Sequence, residues 1–246
     1  MWGAVLASLI SWAKSDIGRK RSSNEDCYFA SDEIGLYVVA DGMGGHRAGD
    51  HASKLAIESA TREFIREYDK GCEISEALSR AVANAALRVF NASQDNLDLR
   101  GMGTTLSMLA VKNGRAHIAH VGDSRIYCIR NNQIHQLTSD HSLVNEQVQA
   151  GIMSPDEART SALRNIITRA IGHNKTVSAD HFSLSVKKGD FFLLCTDGLN
   201  NMLIDSEIVG LINSLRPDFA INKMIENSNK NGGDDNITAI LVQVSL

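Results

Sequence analysis

Apolar positions along this chain recur with two different periods, and the switches between them lay out the elements. Short runs rich in β-branched and aromatic residues at 27–30, 36–40, 104–111, 116–121, 124–130, 133–137, 181–186, 191–196 and 237–242 read as strands. Ala52, Leu55, Ala56, Ser59, Ala60 and Phe64, and then Ile74, Leu78, Val82, Ala85 and Val89, step by three and four instead, the signature of two amphipathic helices that need one sheet to cover. Ser75 or Glu73 is placed to serve the start of the second helix. Asn113-Gly114 predicts a type I′ hairpin in the meander. Two more helices are expected at 206–214 and 217–229. The stretch 140–172 breaks the meander with polar, helix-compatible sequence at 142–150 and 163–171. Between these, Ser154, Pro155 and Glu157 form a capping-box start. It reads as a solvated lid inserted between strands. With no internal repeat or linker, 246 residues suit a single domain spanning 1–246.

The start, residues 1–10, is apolar but lacks a basic leader and is shorter than the ~20 residues that span a bilayer. A first strand is expected there, with a weak membrane or partner contact as the minor alternative. The net charge of -4 offers no basic excess for nucleic acid or an acidic membrane, so a phosphate-bearing ligand must be held locally. Cys27, Cys72, Cys128 and Cys195 lack paired spacing, which favours reduced thiols in a cytosolic protein over a disulfide framework or a zinc site. Cys195 as a nucleophile would have no base near it in sequence.

The chemistry is concentrated where strands stop. The run 36–40 leads into Asp41-Gly42-Met43-Gly44-Gly45, the run 191–196 leads into Asp197-Gly198, and Asp234-Asp235 precedes the last strand. Carboxylates at the ends of core strands are costly to desolvate unless a cation meets them, and hard divalent ions take such oxygen ligands. The three sites are read as one metal centre. All-oxygen donors suit Mg²⁺ or Mn²⁺, and the lack of a nearby Cys/His cluster argues against zinc. Asp123 occupies another strand junction, where its alternative role is to hold a tight turn. In the polar loop 16–26, Arg21, Glu25 and Asp26 admit two readings: a solvated ion pair, or a phosphate grip beside metal-facing acids.

Taken together, Arg21-Ser-Ser-Asn-Glu-Asp26, Asp41-Gly-Met-Gly-Gly45, Gly103-Thr-Thr105, Val121-Gly-Asp-Ser-Arg125, Arg164-Asn-Ile-Ile-Thr-Arg169, Thr196-Asp-Gly-Leu199 and Gly233-Asp-Asp-Asn236 resemble the motifs of the metal-dependent protein phosphatases of type 2C, in their compact bacterial form. The motifs fall in the family's order over nearly the whole chain. The resemblance implies an α+β fold, a four-layer αββα sandwich of two antiparallel sheets flanked by helices, with a lid (flap) insertion. It also implies a serine/threonine phosphoprotein phosphatase that hydrolyses phosphomonoesters by attack of a metal-bridging hydroxide, opposing a cognate bacterial serine/threonine kinase.

By the same resemblance Asp41 bridges two Mn²⁺ or Mg²⁺ ions. Asp197 and Asp235 complete one site, Glu25 and the Gly42 carbonyl serve the other, and Asp123 with Asp197 holds a third ion. Asp26 orients water and Arg21 binds the phosphate, for which a planar bidentate donor is suited. Where some relatives carry His after the Asp-Gly pair this chain has Met43, leaving His46 or a bound water as the general acid. Asn165 and Arg169 are assigned either to substrate or to steadying the lid. A cytoplasmic monomer without a stable membrane span is expected, acting on phosphoserine or phosphothreonine proteins. A catalytically silent phosphoprotein-binding module and a hydrolase of small phosphate esters or nucleic acid are the competing functions.

Overall fold

The computed structural model describes residues 8–45 and 47–245. In chain order the elements are β1 Ser8–Asp16, β2 Asp26–Ser31, β3 Leu36–Met43, α1 Arg47–Asp69, α2 Ile74–Asp95, β4 Gly103–Thr104, β5 Leu106–Lys112, β6 Arg115–Val121, β7 Arg125–Arg130 and β8 Gln133–Gln136. They continue with α3 Leu143–Gln149, α4 Pro155–Thr160, β9 Asp180–Ser185, β10 Phe191–Cys195, α5 Asp197–Asn200, α6 Asp205–Ser214, α7 Pro217–Lys230 and β11 Ile237–Ser245. One sheet runs β1-β11-β10-β7-β8. The other runs β2-β3-β5-β6-β9, with the short β4 beside β3, and every pairing is antiparallel.

The near-continuous apolar strands follow from burial on both faces. In β3, Leu36, Val38 and Ala40 pack under α1 and α2, while Tyr37 and Val39 face the opposite sheet. In β10 and β11, Leu193, Cys195, Ala239 and Leu241 meet α6 and α7, whereas Phe192, Leu194, Ile240 and Val242 fill the space between the sheets. Side chains alternate along a strand, so each central strand supplies two of the three apolar layers. The result is the expected αββα stack.

Local signals hold at most junctions. Asn113 and Gly114 both have positive φ, 50° and 72°, as a type I′ turn requires. Ser154 forms the capping box with Glu157 at the start of α4. The N-cap of α2 is Glu73, without a side-chain bond to the helix. Cys128 and Cys195 are buried and Cys27 and Cys72 half-buried, all free thiols; Cys27 lies on β2, an edge strand, which leaves it less covered. Burial pushes the Cys195 thiol up to about 12, so it remains protonated.

Two expectations need adjustment. The first strand begins at Ser8, and the residues before it fall outside those described. The stretch 163–171 is not helical: it turns back through isolated bridges of Ile167 to Ser142 and Ile171 to Thr104, because those backbones offer it partners that outweigh a weak helical preference. Among the described residues no helix is long and apolar enough to cross a membrane.

Candidate metal centre

The acids singled out in the sequence meet at one edge of the sandwich, contributed by both sheets. Asp26 opens β2 and lies directly opposite Asp41 near the end of β3. Asp197 follows β10 and Asp235 precedes β11, on neighbouring strands of the other sheet. Asp123 sits where the chain leaves β6 in one sheet and enters β7 in the other. A cavity of about 210 Å³ is lined by Arg21, Glu25, Asp41, Gly42, Asp123, Asp197 and Asp235, together with Met43 and Asn165. A larger cavity of about 600 Å³ runs from Asp123 and Asp197 under α3 and α4, where Arg159 and Arg164 line it.

Hydrogen bonds from the surrounding residues hold these acids and their backbone in place. The Asp41 amide donates to Thr105 Oγ1 at 2.8 Å, and that hydroxyl lies 2.7 Å from Ser124 Oγ, next to Asp123. Thr196 Oγ1, from one sheet, donates to Asp26 Oδ2, in the other, at 2.8 Å. Asn236 Oδ1 accepts the Glu25 amide at 2.8 Å, and its Nδ2 donates to the carbonyls of Ile17 and Ser23, each at 2.9 Å. Gly42 donates to the Glu25 carbonyl at 3.1 Å, and a side chain there would collide with the Gly49 carbonyl. Thr105, Thr196, Ser124 and Asn236 therefore belong to the site's frame. All four lie within the quoted motifs, one in each of four, but nothing in their sequence neighbourhood shows which group each would hold.

Electrostatics makes the cluster unstable as bare anions. Burial, then Asp26 and Asp197, raises the Asp41 pKa well above the ordinary range. Burial together with nearby Asp197 and Asp235 pushes Asp26 up to about 7, despite bonds from Thr238 and Thr196. Asp197 is pushed up to about 6 by burial and Asp235, and Asp123 is raised by burial, Asp197 and Asp140. Buried oxygens of Asp26, Asp123 and Asp197 have no hydrogen-bond partner. Like charges with orphaned oxygens in a buried cleft fit divalent cations. Among the described residues no three His, Cys, Asp or Glu side chains close around one point. Asp235 instead turns to Arg21, whose guanidinium donates to Oδ2 at 2.6 Å, and Asp197 takes a 3.1 Å bond from Asn201.

Asn165 reaches the small cavity. Arg169 braces the segment between β8 and β9, donating to Asp180 at 2.7 Å and to the Ser178 carbonyl at 3.2 Å. His46 lies outside the described residues.

An αββα sandwich with an acidic, cation-seeking cleft where its two sheets meet defines a class of metal-dependent hydrolase folds. Within it, the model of the protein phosphatase 2C family matches residues 18–242, and the chain belongs to that family. It is 39% identical over 236 residues to protein phosphatase PhpP of Streptococcus pneumoniae, covering 94% of this chain and 96% of the relative. The serine/threonine phosphatase stp of Listeria monocytogenes is 37% identical over 240 residues, with 95% of each covered. Among solved structures, the Mycobacterium tuberculosis serine/threonine phosphatase PstP superposes with a TM-score of 0.91 at 32% identity, over 98% of this chain and 100% of that one. The PstP catalytic domain in complex with two manganese ions gives 0.88 at 32% identity over the same shares.

Proposed function

We infer that this protein is a metal-dependent serine/threonine phosphoprotein phosphatase. The observation that carries the reading is the gathering of Asp26, Asp41, Asp123 and Asp197 from both sheets, each with its pKa raised by burial and by neighbouring acids. Similarity to named serine/threonine phosphatases over nearly the whole chain supports it.

Asp41, Asp197 and Asp235 would hold one Mn²⁺ or Mg²⁺ ion, Asp41 with Glu25 and the Gly42 carbonyl a second, and Asp123 with Asp197 a third. When bound, such ions lower the pKa of a water molecule and neutralise phosphate charge. Asp26, held by Thr196, would accept a hydrogen bond from water and so orient it. Arg21, half-exposed at the cleft mouth, exchanges Asp235 for the phosphate oxygens of a substrate. The frame formed by Thr105, Ser124 and Asn236 keeps the acids in register, so little reorganisation is needed on binding. Residues 140–172 act as a lid over the larger cavity, part of a single domain. The same reading has a cytoplasmic monomer that opposes a serine/threonine kinase; it gives no role to nucleic acid, in keeping with the acidic net charge.

The test is hydrolysis of a phosphothreonine peptide by chelator-stripped protein, with Mn²⁺ or Mg²⁺ restored, beside Asp41→Ala. Turnover that returns with metal and is lost in the folded variant is the expected result. Silence with both metals despite measured binding would instead favour a phosphoprotein-binding module.

A further inference from the structure

Asp123 reaches the cleft from a turn whose geometry is set by a histidine distant in sequence. Gly122, at φ 112°, has both backbone polar groups taken by one residue. Its N–H donates to His141 Nδ1 at 3.0 Å, and the His141 N–H donates to the Gly122 carbonyl at 2.8 Å. An amide nitrogen can only donate, so Nδ1 must carry the lone pair and the imidazole proton must sit on Nε2. That nitrogen lies 3.2 Å from Asp180 Oδ2, and Asp180 is gripped in turn by Arg169. The ring is buried and stacks on His120 with centroids 4.9 Å apart. Burial lowers its pKa, which keeps it in the neutral form that this arrangement needs.

On the other side of Asp123, Ser124 is fixed by Thr105 and Ser107. Both flanks of the acid are thus anchored, while its buried Oδ1 has no partner. The His141 carbonyl also accepts the Thr168 N–H at 2.9 Å, so the base of the β8–β9 segment and the Asp123 turn share one anchor. Outer-shell hydrogen bonds of this kind orient ligands and are commonly worth 10- to 100-fold in metal affinity.

We propose that His141 is a positioning residue for the metal centre: by accepting the Gly122 amide it fixes the turn from which Asp123 holds the third ion. The proposal rests on the reading of Asp123 as a ligand of that ion. Asp180 and Arg169 act one step further out, setting the tautomer and plane of the ring.

The experiment is an Mn²⁺ titration of the full chain, counting free ion by electron paramagnetic resonance, for wild type, Asp123→Ala, His141→Leu and His141→Asn. Leu fills the space beside His120 without an acceptor, whereas Asn restores an oxygen where Nδ1 stood. His141→Leu is expected to weaken the third ion roughly tenfold or more, leaving the two tighter ions within about threefold of wild type. His141→Asn should restore most of the loss. Unchanged third-ion affinity in His141→Leu, with a clear loss in Asp123→Ala, overturns the proposal alone, as does an Asn variant as weak as Leu. An Asp123→Ala protein that binds like wild type removes the third-ion reading and the proposal with it. Should His141→Leu fail to fold, Asp180→Ala at the partly exposed end of the relay takes its place: a several-fold loss confined to the third ion supports the proposal, and an unchanged value overturns it.

Discussion

Replacing Asp26 by Asn should stabilise the metal-free protein while impairing catalysis. Asp26 is buried, and its pKa is pushed from 3.8 to about 7 by burial and by neighbouring acids. At about 1.4 kcal/mol per pH unit, keeping it ionised costs the fold on the order of 4 kcal/mol at neutral pH. The sign follows from proton binding. Between pH 3.8 and about 7 the folded chain holds a proton on Asp26 that the unfolded chain has released, so stability falls as pH rises through this window. The penalty is absent below it and complete above it.

Asn keeps an acceptor for Thr196 and carries no charge. Because the repulsion is shared among several acids, we expect a gain of about 2–4 kcal/mol at pH 8, which is roughly 4–8 °C in Tm for a chain of this size. The assay is thermal or urea unfolding in excess chelator at pH 5.5 and 8, repeated with Mn²⁺. Wild type should be less stable at pH 8 than at 5.5 in chelator, and Mn²⁺ should rescue it more at pH 8, where the ligands have already lost their protons. An Asn variant no more stable than wild type at pH 8, or wild-type stability that rises with pH in chelator, would refute the electrostatic argument.

Arg21→Ala should chiefly raise KM for a phosphopeptide, with kcat less affected; an unchanged KM would show that phosphate is held elsewhere. Asn236→Ala removes three bonds that tie the Glu25 loop to the start of β11. It should cost about 2–4 kcal/mol in urea unfolding and weaken Mn²⁺ binding, and a loss below about 1 kcal/mol would show that water replaces these bonds.

The sequence by itself determined the element types, because a period of 2 or 3.6 is written in the side chains: the stripe from Ala52 to Phe64 became α1 and the run from Ile237 became β11. It also marked Asp41, Asp197 and Asp235 as unusual, since a carboxylate at the end of a core strand needs a partner. It did not decide which face of each strand would meet helices. Leu36 and Tyr37 are both fully buried, and only the stacking of two sheets sends one into the layer beneath the helices and the other between the sheets. Nor did it decide the path of 163–171, where bridges to Ser142 and Thr104 override local preference. The frame around the acids was hidden for the same reason. Thr196 and Asp26 are 170 positions apart, and His141 lies 19 residues beyond Gly122. A hydrogen bond between such groups leaves no period in the chain, because what aligns donor and acceptor is the packing of one sheet on the other.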